Sequence, residues 1–177
     1  MFQIEKTDLK IYKLWEEAHL PEYGSRLAAC FDLKASLRLG DIVTVYDDRN
    51  VKGARKVSTN GEAQVSVTLY SGQRMLVPTG LVFDLSTTQS LRIHPRSGLS
   101  LKNGITVANC EGVVDSDYVQ QTYVMLYNIS TAPFDVLDGM RIAQGEIVRA
   151  IRVGLVEIDY EPENKSDRTG GFGSTGL

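Results

Sequence analysis

The sequence predicts an all-β domain of the jelly-roll or barrel kind with little helix. Three observations carry that expectation: six strand-length runs rich in β-branched and aromatic residues, turn chemistry between them, and very little helical periodicity. Taken in order, LWEEAH (14–19) is the one early segment that favours helix, and Pro21 limits it to a turn or two. DIVTVY (41–46) is the first strand-length run. QVSVTLY (64–70) alternates, setting Val65, Val67 and Leu69 on one face. LVFDL (81–85), TYVMLYNIS (122–130), GEIVRAIRV (145–153) and LVEIDY (155–160) complete the set. At 177 residues, 42% hydrophobic and 23% charged, the chain reads as one ordinary domain able to bury a core.

One stretch stands apart. Residues 47–64, DDRNVKGARKVSTNGEAQ, are polar and contain Asn60-Gly61, a strong signal for a two-residue hairpin turn. They read as an extra surface hairpin, a solvated decoration in the first instance. The alternative is a docking surface for a protein partner or nucleic acid, helped by Lys52, Arg55 and Lys56. The rest of residues 1–166 forms the β domain, and residues 167–177, DRTGGFGSTGL, form a glycine-rich arm too costly to order as helix or core.

Composition narrows the function classes. A formal net charge of −3 argues against a general nucleic-acid coat but leaves room for arginines focused on one anionic ligand. No apolar run reaches membrane-spanning length, and the N-terminus lacks the apolar stretch of a secretory signal. Cys30 and Cys110 have no CxxC spacing and read as reduced thiols, so the setting expected is cytoplasmic, the host cytoplasm for a viral chain. His19 and His94 lie far apart, so neither a histidine-based zinc site nor a Ser-His-Asp triad is legible. The terminal glycines lack the Gly-Lys-Ser/Thr of a phosphate-binding loop.

Two segments mix glycine, small hydroxyls, arginine and aspartate. HPRSGLSLKNG (94–104) offers Arg96 and Ser97 as donors, with Gly98 allowing close approach to the backbone, as an anion site requires. NCEGVVDSDYVQQTYVMLYN (109–128) sets Asp115, Ser116, Asp117 and Tyr118 between two strand-like runs. Either alone is an ordinary turn.

Together with three further segments they form an ordered set. AACFDLKA (28–35), PRSGLSLKNG (95–104), NCEGVVDSDY (109–118), GMRIAQ (139–144) and GGFGSTG (170–176) resemble, in sequence, the five blocks of the trimeric dUTPase family. The likeness extends over nearly the whole chain except residues 47–64. It implies a distorted jelly-roll, or β-clip, that assembles as a homotrimer with active sites shared between subunits. It also implies hydrolysis of dUTP to dUMP and pyrophosphate with Mg2+, limiting dUTP and supplying dUMP for thymidylate synthesis.

Roles carry over residue by residue. By the resemblance, Asp115 activates the attacking water, Ser97 contacts the bridging oxygen between the α- and β-phosphates, and Asp32 either lies in the outer shell of Mg2+ or holds the site in shape. Asn109, Gly112 and Val114 belong to the uracil-binding hairpin, and Tyr118 packs on the deoxyribose, excluding a 2′-hydroxyl. Arg96, Gly98 and Gln144 take phosphates. Arg141 supports the interface or the site rather than touching substrate. On the arm, Arg168 approaches the γ-phosphate, Phe172 stacks over uracil, and Gly173, Ser174 and Thr175 offer donors. No direct metal ligand is implied, because the ion rides on the triphosphate.

The chain departs from the pattern at four places. Cys30 replaces a common glycine, Val119-Gln120 a frequent Arg-Gly, and Met140 a common aspartate, while Arg168 to Phe172 is one residue short. The nearest rival family, the dCTP deaminases, generally carries serine at the position of Gly98 and needs a catalytic glutamate that finds no match here. A non-catalytic regulator is the other alternative, supported only by residues 47–64.

Overall fold

In the computed structural model, which describes residues 8–167, the alternating runs settle into fifteen strands and one short helix. β1 (Lys10–Lys13), β2 (Glu22–Tyr23), β3 (Phe31–Lys34), β4 (Ile42–Tyr46) and β5 (Lys52–Lys56) come first. β6 (Ser58–Thr59), β7 (Val65–Leu69), β8 (Arg74–Pro78), β9 (Leu81–Asp84) and β10 (Gln89–His94) follow. Helix α1 (Ser97–Asn103) then leads to β11 (Ile105–Val107), β12 (Gly112–Val114), β13 (Tyr123–Asn128), β14 (Phe134–Leu137) and β15 (Arg141–Arg149).

Two five-stranded sheets dominate, in the orders β12-β10-β15-β3-β2 and β11-β13-β8-β4-β5. Smaller sheets pair β1 with β9 and join β14-β7-β6. The neighbours are antiparallel and mostly distant in sequence, a jelly-roll-like winding that uses the period-2 pattern to give each sheet one apolar face. Phe31, Leu33, Leu91, Ile93 and Ala143 of the first sheet join Val43, Val45, Met75, Val77, Val124 and Leu126 of the second in one continuous core. Burying each of the larger side chains stabilises the fold by about 1.5–3 kcal/mol.

Gly145 shows how tightly that core is filled. A Cβ there would lie 2.4 Å from Phe31 Cε2 and 3.0 Å from Leu91 Cδ1. The Phe31 ring also stacks on Phe83, with centroids 6.2 Å apart.

Three expectations need correction. LWEEAH is not a helix but a single turn, closed by the Ala18 N–H donating to Trp15 O at 3.1 Å. Tertiary contacts outweigh its weak local preference: Trp15 Nε1 donates to Ser36 Oγ at 2.9 Å, and the Arg38 guanidinium covers its ring. LVEIDY joins no ladder among the described residues, and Leu155 and Val156 are almost wholly exposed.

The Asn60-Gly61 turn is longer than expected. The Asn60 N–H donates to Gln64 O at 2.9 Å, and the Ala63 N–H to Asn60 O at 3.0 Å. This is a three-residue loop whose left-handed position falls on Ala63, at φ +59°, rather than on the glycine. Asn60 Oδ1 accepts from the Glu62 and Gln64 N–H groups, each at 3.0 Å, which selects the longer loop.

Residues 47–64 are largely surface, as their polarity implies, yet they divide between two hairpins. β5 closes one against β4 and β6 the other against β7. Between them Val57 is fully buried, which ties the stretch to the core.

Candidate functional site

The β12-β10-β15-β3-β2 sheet has one face in the core and one polar face. On β3 the alternation sends Phe31 and Leu33 inward, so Asp32 takes the other side. The register aligns Asp32 with Gln144 and Gln144 with His94, a row of polar residues across three strands. Beyond His94, Pro95 ends β10 and the chain turns at Arg96 into α1, where buried Leu99 anchors the helix and leaves Ser97 and Gly98 exposed.

Asp32 organises this end of the sheet. Only 6% exposed, it accepts Arg96 Nε on Oδ1 at 3.2 Å and Arg141 Nη1 on Oδ2 at 3.1 Å. Arg96 Nη1 also donates to the Arg141 carbonyl at 3.1 Å. A register shift between Arg141 and Ala143 disrupts β15 beside this clamp, and such bulges re-aim side chains. The clamp thus fixes a guanidinium beside Ser97 and Gln144, donors suited to a polyanion. A Cβ on Gly98 would meet nothing within 4 Å, so nothing in the described fold requires glycine there.

A second feature lies beyond β12. A pocket of about 280 Å³ is lined by Asn109, Gly112, Val114 and Tyr118 on one side and by Thr122 and Tyr123 on another. That is near the lower end for ligand sites, about 300–1,000 Å³, and suits one ring system and its sugar rather than a whole nucleotide. Ile93 forms part of the lining, and a Cβ on Gly112 would crowd Ile93 Cβ at 3.1 Å. Tyr118 is held by its N–H donating to Asp115 O at 3.1 Å and its hydroxyl donating to Gln121 O at 2.9 Å. Burial, and then the neighbouring Tyr118, push the Tyr123 hydroxyl above its ordinary value. Asp115 is exposed in the loop after β12; because β12 and β13 pair into different sheets, the hairpin expected here is instead a link between the two sheets.

Within one chain the two features lie at separate places on the sheet. Val114 pairs with Leu91 on β10, so Asp115 is level with Ser90, four residues before His94 and six before Arg96. At about 3.3 Å per residue the four strand positions to His94, which is level with Asp32, span roughly 13 Å. Asp32, which holds Arg96, lies three strands from β12, adding about 14 Å laterally. Together these offsets set the Asp115 and Asp32 backbones of one chain roughly 20 Å apart.

Comparison with known proteins decides the family. The dUTPase family model matches residues 62–176. The chain belongs to the dUTPase family. A deoxyuridine 5'-triphosphate nucleotidohydrolase of Bartonella bacilliformis is 44% identical over 169 residues, covering 89% of this chain and 82% of its own. Its counterpart in Rhizobium rhizogenes is 37% identical over 158 residues, covering 89% and 85%. The dUTPase of Staphylococcus bacteriophage 80alpha, solved with dUPNHPP, shares the fold at a TM-score of 0.73 and 18% identity, covering 97% of this chain and all of that one.

Against the family expectation, the structure gathers Asp32, Arg96, Ser97, Gly98 and Gln144 at one end of the sheet. Asn109, Gly112, Val114 and Tyr118 line the pocket, with Asp115 beside Tyr118. Arg168, Phe172, Gly173, Ser174 and Thr175 lie outside the described residues. Arg141, expected to support the interface or the site rather than touch substrate, pairs with Asp32 across 109 positions. A third group has no counterpart in the sequence pattern: Cys30, His94 and Glu146 converge although nothing in their spacing suggests it. Burial, and then the Glu146 charge, push the Cys30 thiol above its ordinary value.

Proposed function

We propose that this chain hydrolyses dUTP to dUMP and pyrophosphate in a homotrimer whose active sites each draw on more than one copy. The observation that carries the reading is the pocket between Asn109 and Tyr118, sized for a base and sugar, on a chain that also clamps an arginine beside Ser97 and Gln144. The separation of these two parts within one chain supports the shared site: a neighbouring copy must supply one of them, as a closed ring of heterologous contacts allows.

In this reading uracil enters the pocket against Asn109, Gly112 and Val114, and polar groups matched to its edge reject cytosine, which would bury unpaired donors. The Tyr118 ring packs on the deoxyribose and leaves no room for a 2′-hydroxyl. Asp115 accepts the proton of the water that attacks the α-phosphorus, and pyrophosphate leaves. Arg96, Ser97, Gly98 and Gln144 of another copy hold the phosphates, with Ser97 donating where charge develops on the bridging oxygen. Arg168, Phe172, Gly173, Ser174 and Thr175 close the site from the arm, excluding water from the reaction.

The donor set fits a magnesium ion that travels on the triphosphate. Asp32 is occupied by two guanidinium groups, which favours a shape-holding role over a metal one, and the described residues gather no cluster of three carboxylates. When bound, Mg2+ would neutralise phosphate oxygens. The products place the protein in nucleotide metabolism, limiting dUTP and supplying dUMP for thymidylate synthesis. No described helix is long and apolar enough to cross a membrane.

The test is direct. The full-length chain is incubated with Mg2+ and either dUTP, UTP or dCTP, and pyrophosphate and ammonia are measured. Pyrophosphate from dUTP alone is expected. Ammonia from dCTP without pyrophosphate from dUTP would overturn the proposal in favour of a deaminase.

A further inference from the structure

The polar face of the β12-β10-β15-β3-β2 sheet carries a group that dUTP hydrolysis leaves unused. Phe31 pairs with Gly145, which sets Cys30 beside Glu146 at the entry to β3. Glu146 in turn pairs with Arg92, placing it diagonally across from His94 on β10. The sulfur, ring-nitrogen and carboxylate ligand atoms of Cys30, His94 and Glu146 all lie within 4.8 Å of one another, and each residue is half-buried. His94 Nε2 is 3.1 Å from Glu146 Oε2. Its other nitrogen, Nδ1, faces Glu111 Oε1 at 3.7 Å, and Arg92 Nη1 holds Glu111 at 3.1 Å.

We propose that Cys30, His94 and Glu146 bind one divalent transition-metal ion of the zinc class, through the thiolate sulfur, imidazole Nε2 and a carboxylate oxygen, with Glu111 supporting the imidazole from its far nitrogen. Donor chemistry selects the ion. A thiolate with an imidazole suits zinc and not magnesium, which wants oxygen ligands alone. Charge agrees: one thiolate and one carboxylate neutralise a divalent cation. Geometry agrees as well, because ligand atoms around a tetrahedral zinc lie about 3.3–3.6 Å apart. The His94–Glu146 pair is already near that separation. Cys30 sits in a bend just before β3, outside the ladder, so its sulfur can close the remaining distance of about 1 Å by a backbone or rotamer adjustment.

Glu111 completes a carboxylate–histidine–metal arrangement of the kind that fixes ring orientation and raises ligand basicity. Three protein ligands leave a fourth position open to water or a group from elsewhere. None of Cys30, Glu146 and Glu111 is used by the nucleotide site, so the metal proposal and the dUTP reading can fail independently.

The experiment is a Co2+ titration of the metal-stripped full-length chain without nucleotide, followed by optical absorption. One equivalent of Co2+ should bind per chain with a thiolate-to-metal charge-transfer band and intense visible bands of tetrahedral type, and Zn2+ should displace it. Cys30→Ser should abolish the charge-transfer band, Cys110→Ser should leave it intact, and Glu111→Gln should weaken Co2+ binding by about 10- to 100-fold. Should Cys30→Ser fail to fold, as judged by circular dichroism, His94→Gln must lower Co2+ affinity by at least the same factor. A wild-type chain without the charge-transfer band would overturn the proposal. So would a band lost in Cys110→Ser, or affinity unchanged in His94→Gln.

Discussion

Replacing Asp32 by asparagine probes the clamp while keeping side-chain size. The wild-type carboxylate is buried and neutralises two guanidinium groups at 3.2 and 3.1 Å. Asparagine retains one acceptor oxygen but turns an NH2 donor toward the second arginine, leaving two cations against a neutral group. Breaking a buried pair from one side costs about 3–5 kcal/mol. Here the partners differ: the Arg96 side chain is 24% exposed, whereas Arg141 is 55% exposed and can turn to water. An exposed pair is worth about 0–1 kcal/mol, so Arg96 dominates and the expected loss is about 2–4 kcal/mol. Urea denaturation at fixed protein concentration should show a midpoint lower by about 0.7–4 M, taking a slope of about 1–3 kcal/mol/M. Arg141→Ala alone should cost no more than about 1 kcal/mol, and adding it to Asp32→Asn should recover part of the loss by removing an unpaired cation. Released from its anchor, Arg96 should also bind phosphate less well, raising KM for dUTP. A midpoint shift below about 0.3 M with unchanged KM would refute the clamp.

Gly145→Ala should destabilise by about 1–3 kcal/mol through overpacking, since its Cβ would press on the Phe31 ring at 2.4 Å; an unchanged thermal midpoint would mean the ring yields freely. Ala63→Gly should stabilise by about 0.5–1 kcal/mol, because it relieves an alanine held at φ +59°, and chemical denaturation reads the sign. With metal absent, iodoacetamide near neutral pH should alkylate exposed Cys110 well before Cys30, whose raised pKa keeps the thiolate fraction low; Cys30 modification should accelerate as pH rises, and peptide mass spectrometry distinguishes the two sites.

Local pattern and long-range pairing were not equally legible in the sequence. Runs such as QVSVTLY and TYVMLYNIS encode their strands through alternation, which depends only on neighbours. LVEIDY is also rich in β-branched and aromatic residues yet joins no ladder among the described residues, because a strand also needs a free edge to pair with, and no local pattern records that. Trp15 shows the converse: its turn is decided by Ser36 and Arg38, both distant in sequence. In the candidate site, short contiguous blocks marked Arg96, Ser97, Asn109, Tyr118 and Gln144. The Asp32–Arg141 contact and the Cys30–His94–Glu146 group exist only through the β3-β15-β10 register, which composition and spacing do not contain. Asn60-Gly61 failed for a subtler reason: the Asn60 side chain capped two backbone N–H groups and moved the left-handed residue to Ala63.

The shared active site is the central claim, and subunit mixing tests it most directly. Ser97→Ala and Asp115→Asn chains, each nearly inactive alone, are denatured, mixed in equal amounts and refolded together, and dUTP hydrolysis is measured. If Ser97 and Asp115 act from different copies, random assembly leaves about one quarter of the sites with both residues intact, and activity should return to roughly that fraction of wild type. If both residues served within one chain, every site would keep one defect. Activity no greater than that of the two variants refolded separately would contradict the account.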